Sequence, residues 1–284
     1  RKGFEETIDV AVRFLDDILD INEYPLDKIR QVSTTERRVG LGVMGLHYAM
    51  ITCGVKYSSP EGIEFVEKIF EILRNRSYWA STELAKEKGS FSKFDADKYL
   101  KGNFVKRLPV KIREKIRQDG IRNMCLNTLA PTGTTSIIAN VSSGIEPIFS
   151  PVYKRVFWSG DKQKSEIVAD DLFLRMKREG GNLKAFEGSH DITPEQHIQI
   201  QEAAQFYIDS AVSKTINLPK NYQVDELSEL VLKYINNIKG ITFYREGSRG
   251  ESPLTPVSPD KWKDHEGNDD VAKDVKCANG VCEI

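Results

Sequence analysis

Long apolar runs are missing from this chain. No stretch approaches the ~20 residues needed to span a bilayer, and no secretory leader is expected. The expectation is a cytoplasmic protein with no membrane partner. Cysteine is scarce: four residues, Cys53, Cys125, Cys277 and Cys282, too few and too scattered for a secreted disulfide scaffold. An excess of charge of one sign is absent too. The formal net charge of -1 argues against nucleic acid, whose phosphate backbone needs clustered cations. The nearest thing to a basic patch runs from Lys101 to Arg122, but Val110, Ile112, Ile116 and Ile121 recur there at helical spacing. A solvated helix face is the simpler reading.

What is present is enough chain, 284 residues, to bury a substantial core. Phe4, Ile8, Val12 and Leu15 keep a 3.6-residue rhythm that stops at Asn22-Glu-Tyr-Pro25, and a second helix is expected from near Pro25. A third starts at Ser59-Pro60, with Pro at its first position, and ends by Gly89. Cys125 to Ala130 reads as a buried strand stopped by Pro131, and Ser165 to Arg178 as a helix. Thr193-Pro-Glu-Gln196 carries the capping-box pattern and opens a helix to about Ala211. Lys214–Leu218, Asp225–Ile238 and Gly240–Tyr244 then read as strand, helix, strand, the unit of a parallel crossover. The fold class is therefore α/β with parallel strands. After Gly250 three prolines and a charged, apolar-poor run indicate a flexible tether, so the expected division is 1–249 as folded body and 250–284 as tail.

Three motifs carry possible chemistry. Gly40-Leu-Gly42-Val-Met-Gly45 matches the dinucleotide fingerprint in letters, but Ser33–Arg38 before it cannot be the required buried strand; small residues allowing tight helix packing are the better reading. Ala130-Pro131-Thr132-Gly133-Thr134-Thr135-Ser136 joins a strand to an apolar helix. Gly133 allows close approach to the backbone, and helix-terminal N–H groups with four hydroxyls could cradle a phosphate. An ordinary Thr-capped helix would look the same. At the C-terminus Cys277 and Cys282 form a thiol pair suited to shuttling reducing equivalents. Zinc is the competing reading, with His265 as third ligand and no fourth nearby except carboxylates, so no metal is expected. Cys53 and Cys125 read as inert core thiols. Together the loop and the thiol pair point to a reductase acting on a phosphorylated substrate.

Several stretches resemble the C-terminal half of ribonucleotide reductase large chains, most closely the adenosylcobalamin-dependent class. They are Arg37–Gly45, Ala130–Ala139, Ser143-Gly-Ile-Glu-Pro-Ile-Phe149, Ser213–Pro219 and Gly240–Arg249. The resemblance implies the C-terminal part of a ten-stranded α/β barrel and thiyl-radical reduction of ribonucleotides, diphosphates by expectation, for DNA synthesis. It implies phosphate binding by residues 130–136, and a tail pair, Cys277 and Cys282, that re-reduces the active-site disulfide with thioredoxin or a glutaredoxin-like reductant. It further implies adenosylcobalamin as cofactor and a dimer of the complete enzyme. Phe243-Tyr244 carries one phenol where radical-subunit-dependent members have two adjacent tyrosines, which favours the cobalamin class. The family's radical cysteine matches nothing in this chain. The expectation is therefore a C-terminal piece, inactive until it meets an N-terminal half. The alternatives are a non-catalytic nucleotide-binding module with a zinc tail, or a chain dependent on a separate radical-generating subunit.

Overall fold

The computed structural model describes residues 2–159, 162–248 and 254–259. Helix α1 (Lys2–Ile21) buries Ile8 and Val12 on the stripe that the sequence rhythm marks, and α2 (Asp27–Glu36) follows. After α3 (Leu46–Thr52), the long α4 (Pro60–Lys88) starts where Ser59 Oγ accepts from Gly62 N at 3.1 Å and ends at Gly89, φ 81°. Its packing against α1 and against α9, further along the chain, builds the main core, with Val66, Phe70, Leu73 and Tyr78 buried. Helices α5 (Ala96–Tyr99) and α6 (Val110–Asp119) cover one side. In α6, Ile112 and Ile116 point inward while Val110 is exposed, so Lys111, Arg113 and Arg117 lie on a helix as read, whereas Lys101, Lys106 and Arg107 precede it in turns. Lys115 is the exception. It is buried against Glu83, Asp119 and the Trp79 ring.

The short α7 (Gly133–Ile138) leads into a hairpin of β1 (Val152–Ser159) and β2 (Lys162–Ala169), antiparallel from Val152↔Ala169 to Ser159↔Lys162. The helix expected over 165–178 is thus divided. Its first part is β2; α8 (Asp171–Arg178) starts only after Asp170, whose carboxylate caps Leu172 N and Phe173 N. That cap was the overlooked boundary signal.

Helix α9 (Pro194–Tyr207) opens on the expected capping box, with Gln196 N 3.3 Å from Thr193 Oγ1 and Thr193 N 2.9 Å from Gln196 Oε1. It stops at Tyr207 rather than Ala211. Residues 210–213 are taken instead by the neighbouring extended segment: Ser210 N donates to Asn127 O, Leu129 N to Ala211 O, and Ser213 N to Leu129 O. Then come β3 (Thr215–Leu218), α10 (Val224–Tyr234) and β4 (Thr242–Arg245), with β3 and β4 paired in parallel as the strand–helix–strand reading requires. Strand β5 (Leu254–Pro256) lies in the stretch read as tail and pairs antiparallel with β1 at Tyr153↔Pro256 to Arg155↔Leu254.

The segment read as a strand at 125–130 is extended and held from both sides. Val39 and Leu41 donate to Cys125 O and Leu126 O, and parallel bridges link Leu41↔Asn127 and Leu129↔Val212. Residues 39–41, 125–129, 211–218 and β4 therefore lie side by side, all parallel. This is an open α/β arc. Among the described residues no closed barrel forms, and no helix is long and apolar enough to cross a membrane.

Candidate functional site: the loop at 130–136 and the pins beneath it

The loop sits at the end of the central stave, 125–129, whose position is fixed from three directions. The Asp209 carboxylate accepts from Leu126 N (2.7 Å), Asn127 N (2.9 Å) and Tyr78 Oη (2.8 Å), and burial pushes its pKa up. On the other side Gly40 and Gly42 let residues 39–42 lie against it: a Cβ on Gly42 would stand 2.2 Å from Thr128 O. The glycine motif is therefore a packing device, against an extended segment rather than a helix. Gly45 N donates to Ser142 O at 2.7 Å, so that amide faces the protein, not a ligand.

The loop turns at Thr132, a non-glycine residue in the left-handed region at φ 52°. Its side chain makes no helix cap. Thr132 Oγ1 accepts instead from Gly144 N at 2.7 Å. Ser136 is buried, with its Oγ donating to Gly133 O at 3.0 Å and lying 2.7 Å from Ser143 Oγ. The outer members differ. Ala130, Pro131, Gly133, Thr134 and Thr135 are exposed, and a Cβ at Gly133 would meet nothing within 4 Å. Among the described residues the N–H groups of Gly133, Thr134 and Thr135 have no backbone acceptor, as expected of a first helical turn. Thr135 Oγ1 reaches only the Thr132 carbonyl, at 3.4 Å, and the Thr134 hydroxyl has no partner among the described residues. Two hydroxyls thus hold the loop from within while its backbone donors face outward.

Below the loop, residues 143–148 are pinned to the core by a polar network that the sequence reading missed. Glu146 Oε2 meets Lys214 Nζ at 2.5 Å and Oε1 accepts from Thr215 N at 2.6 Å. Lys214 is 2 % exposed and uses its other donors on His197 Nδ1 (2.9 Å) and Thr215 O (2.6 Å). With Nδ1 accepting, His197 carries its proton on Nε2 and donates to Ser189 O at 3.1 Å. Burial, then Lys214, lowers His197 to about 3, and burial lowers the Lys214 ammonium too. Tyr57 Oη donates to Ile145 O at 2.6 Å, and Ile148 N to His47 Nδ1 at 2.9 Å. A lysine opening the strand Lys214–Leu218 was the available signal, since a cation there needs a buried partner.

The two body cysteines diverge from the reading as core thiols. Cys125 is half-buried, and burial, then Asp209, pushes its thiol up, in keeping with inertness; Cys53 is exposed at the end of α3. Asp16, Asp17 and Asp20 come together in metal-like fashion. Their carboxylates are engaged by Arg37, Arg122 and Lys88, so the cluster reads as structural. Cys277, Cys282 and His265 lie outside the described residues.

Comparison with known proteins assigns this architecture. A family model described as the ribonucleotide reductase barrel domain matches residues 1–244. The vitamin B12-dependent ribonucleoside-diphosphate reductase of Thermoplasma acidophilum is 33% identical over 283 residues, covering 92% of this chain and 35% of that protein. Its counterpart in Mycobacterium tuberculosis is 30% identical over 277 residues, covering 90% and 38%. The ribonucleoside-diphosphate reductase subunit alpha of Chlamydia pneumoniae is 29% identical over 258 residues, covering 75% and 25%. The chain spans 35–38% of the length of the B12-dependent relatives. The open parallel arc, the glycine-packed central stave and the match over residues 1–244 lead to one conclusion: the chain belongs to the ribonucleotide reductase barrel-domain family.

Proposed function

We propose that this chain is the C-terminal part of a ribonucleoside-diphosphate reductase, converting ribonucleotides to 2′-deoxyribonucleotides, and that residues 130–136 hold the substrate's phosphates. The observation that carries the reading is the division of labour in that loop. Thr132 and Ser136 are bonded inward, leaving the Gly133–Thr135 N–H groups and the Thr134 hydroxyl unspent over an open space beside Gly133. Backbone donors at a helix start suit an anion, and the short α7 is held rigidly enough to present them.

In the net reaction the 2′-hydroxyl leaves as water while two thiols become a disulfide, so two electrons pass from sulfur to substrate. The radical cysteine belongs to the N-terminal half, which is this chain's obligatory partner in a dimeric enzyme. Cys277 and Cys282 return the disulfide to dithiol and are themselves re-reduced by thioredoxin or a glutaredoxin-like protein. The names of the B12-dependent relatives support adenosylcobalamin as the radical source of the complete reductase. Neither buried histidine is free to hold a corrin cobalt. The accepting nitrogens of His47 and His197 are already taken by Ile148 N–H and Lys214.

Gly133→Val tests the cradle. The added side chain meets nothing in the protein, so folding is expected to be unchanged. Nucleoside-diphosphate affinity of the complete enzyme should drop more than about tenfold, about 1.4 kcal/mol or beyond. Unaltered affinity in a calorimetric titration would remove the loop from substrate binding.

A further inference from the structure

A cavity of about 920 Å³ lies away from the loop's outer face, walled by α3, the end of α7 and α8. Met44, Tyr48, Cys53 and Asn140 line one side, and Arg175 and Arg178 the other. Both arginines are exposed and neither has a carboxylate partner among the described residues. Asp171 lies at the other end of α8, so the cationic character is concentrated at the helix's C-terminal end, where its dipole is negative and two guanidinium groups dominate. Such a cavity is suited to carboxylates, which arginine binds in bidentate fashion.

After β5, Val257 N donates to Val152 O at 2.9 Å, and Val257 packs on the cluster that contains Phe173 of α8. The chain is thus beside α8 two residues before Pro259, after which the sequence runs Asp260–Ile284. Within it, residues 264–270 hold Asp264, Glu266, Asp269 and Asp270 and no lysine or arginine. Five residues from Pro259 to Asp264 span up to about 17 Å, and α8 is about 12 Å long. The contour length of that stretch therefore exceeds the length of α8.

We propose that residues 264–270 dock in this cavity with their carboxylates on Arg175 and Arg178. Docking rests on charge, reach and the exit point, and stands independently of the phosphate-loop reading. If the tail pair is the thiol shuttle, the docked run leaves only the seven residues from Asp270 to Cys277 as its leash, roughly 23–25 Å at full extension.

Cys53, exposed within the cavity, provides the probe. In the full-length protein its alkylation by iodoacetamide, read by mass spectrometry of the Cys53 peptide, should be slowed by the tail. Truncation after Pro259 and the variant R175E/R178E should each raise the rate roughly fivefold, the scale of two partly exposed ion pairs. Adding D269R/D270R to R175E/R178E should restore protection, and high salt should abolish it in the wild type. Equal rates in wild-type and truncated protein would overturn the proposal, as would protection that survives R175E/R178E. Pyrophosphate that protects Cys53 equally with and without the tail would also overturn it, marking a small-anion cavity instead.

Discussion

Two of the buried charges, one in the helical part and one under the loop, are compensated in opposite ways. Under the helical shoulder an anion, Asp16, receives Arg37 Nε (2.8 Å), Asn123 Nδ2 (2.9 Å) and Arg122 Nε (3.1 Å), with Lys88 at 3.8 Å. Under the loop a cation, Lys214, has one carboxylate, Glu146, and two neutral acceptors, His197 Nδ1 and Thr215 O. The first is rich in counter-charge and ties α1 to the left-handed Arg37 at φ 48° and to residues 122–123. The second has a single counter-charge, but two residues from Glu146 the Gly144 amide holds Thr132. One cluster stabilises the fold alone; the other stabilises the fold and sets the loop.

The largest effect is expected on the anionic side. Asp16→Ala would leave buried guanidinium and amide donors without their acceptor, a loss of about 3–5 kcal/mol in denaturant unfolding. Phosphate affinity of the surviving folded enzyme should be unchanged. A variant that loses affinity as well would show that the shoulder and the loop are coupled, and the contrast would fail.

Glu146→Gln is the sharper experiment, with a smaller stability cost of about 1–3 kcal/mol, because one oxygen can still accept from Thr215 N while Lys214 loses its only counter-charge among the described residues. Here nucleoside-diphosphate affinity should fall severalfold, since the Ser143–Glu146 segment that supports Thr132 and Ser136 is loosened. Stability loss with intact affinity would reduce the Lys214–Glu146 pair to a fold element.

The sequence disclosed these regions unequally. Periodicity and capping located α1, α4, α9, α10 and the parallel pair β3–β4, because those signals are local: Ser59-Pro60 and the Thr193–Gln196 box carry their own geometry. The hairpin at 152–169 was hidden because its pairing is non-local, and α9 was overrun because residues 210–213 are claimed by a stave more than eighty positions earlier. The loop at 130–136 was legible as a motif. Its inward bonds to Gly144 and Ser143 were not, nor were the pins at Glu146, His197 and Lys214, which bring together residues 17 to 68 positions apart. Cys53 was taken for a core thiol from its apolar neighbours, but it follows the last turn of α3 and faces outward.

The smallest expected effect is a pH slope belonging to the cationic side. His47 is fully buried, its Nδ1 accepts from Ile148 N, its Nε2 has no partner among the described residues, and burial, then Lys214, lowers its pKa to about 3. The unfolded imidazole titrates at about 6.5. Between these values the unfolded chain binds a proton that the folded one refuses. The stabilisation is therefore complete above about pH 6.5 and is lost as pH falls toward 3, at about 1.4 kcal/mol per pH unit for one such group. His197, also near 3, adds a second contribution of the same sign, whereas Asp209 and Asp170, raised by burial, take up protons in the folded state and oppose it on the acid side. His47→Gln keeps an acceptor for Ile148 N and removes the titration. Urea unfolding at pH 5 and pH 7.5 should show a shallower pH dependence in the variant, by roughly 0.6 proton averaged over that interval. Identical slopes would mean that His47 is protonated or solvated in the folded protein, and that the cationic cluster tolerates a second positive charge beside Lys214.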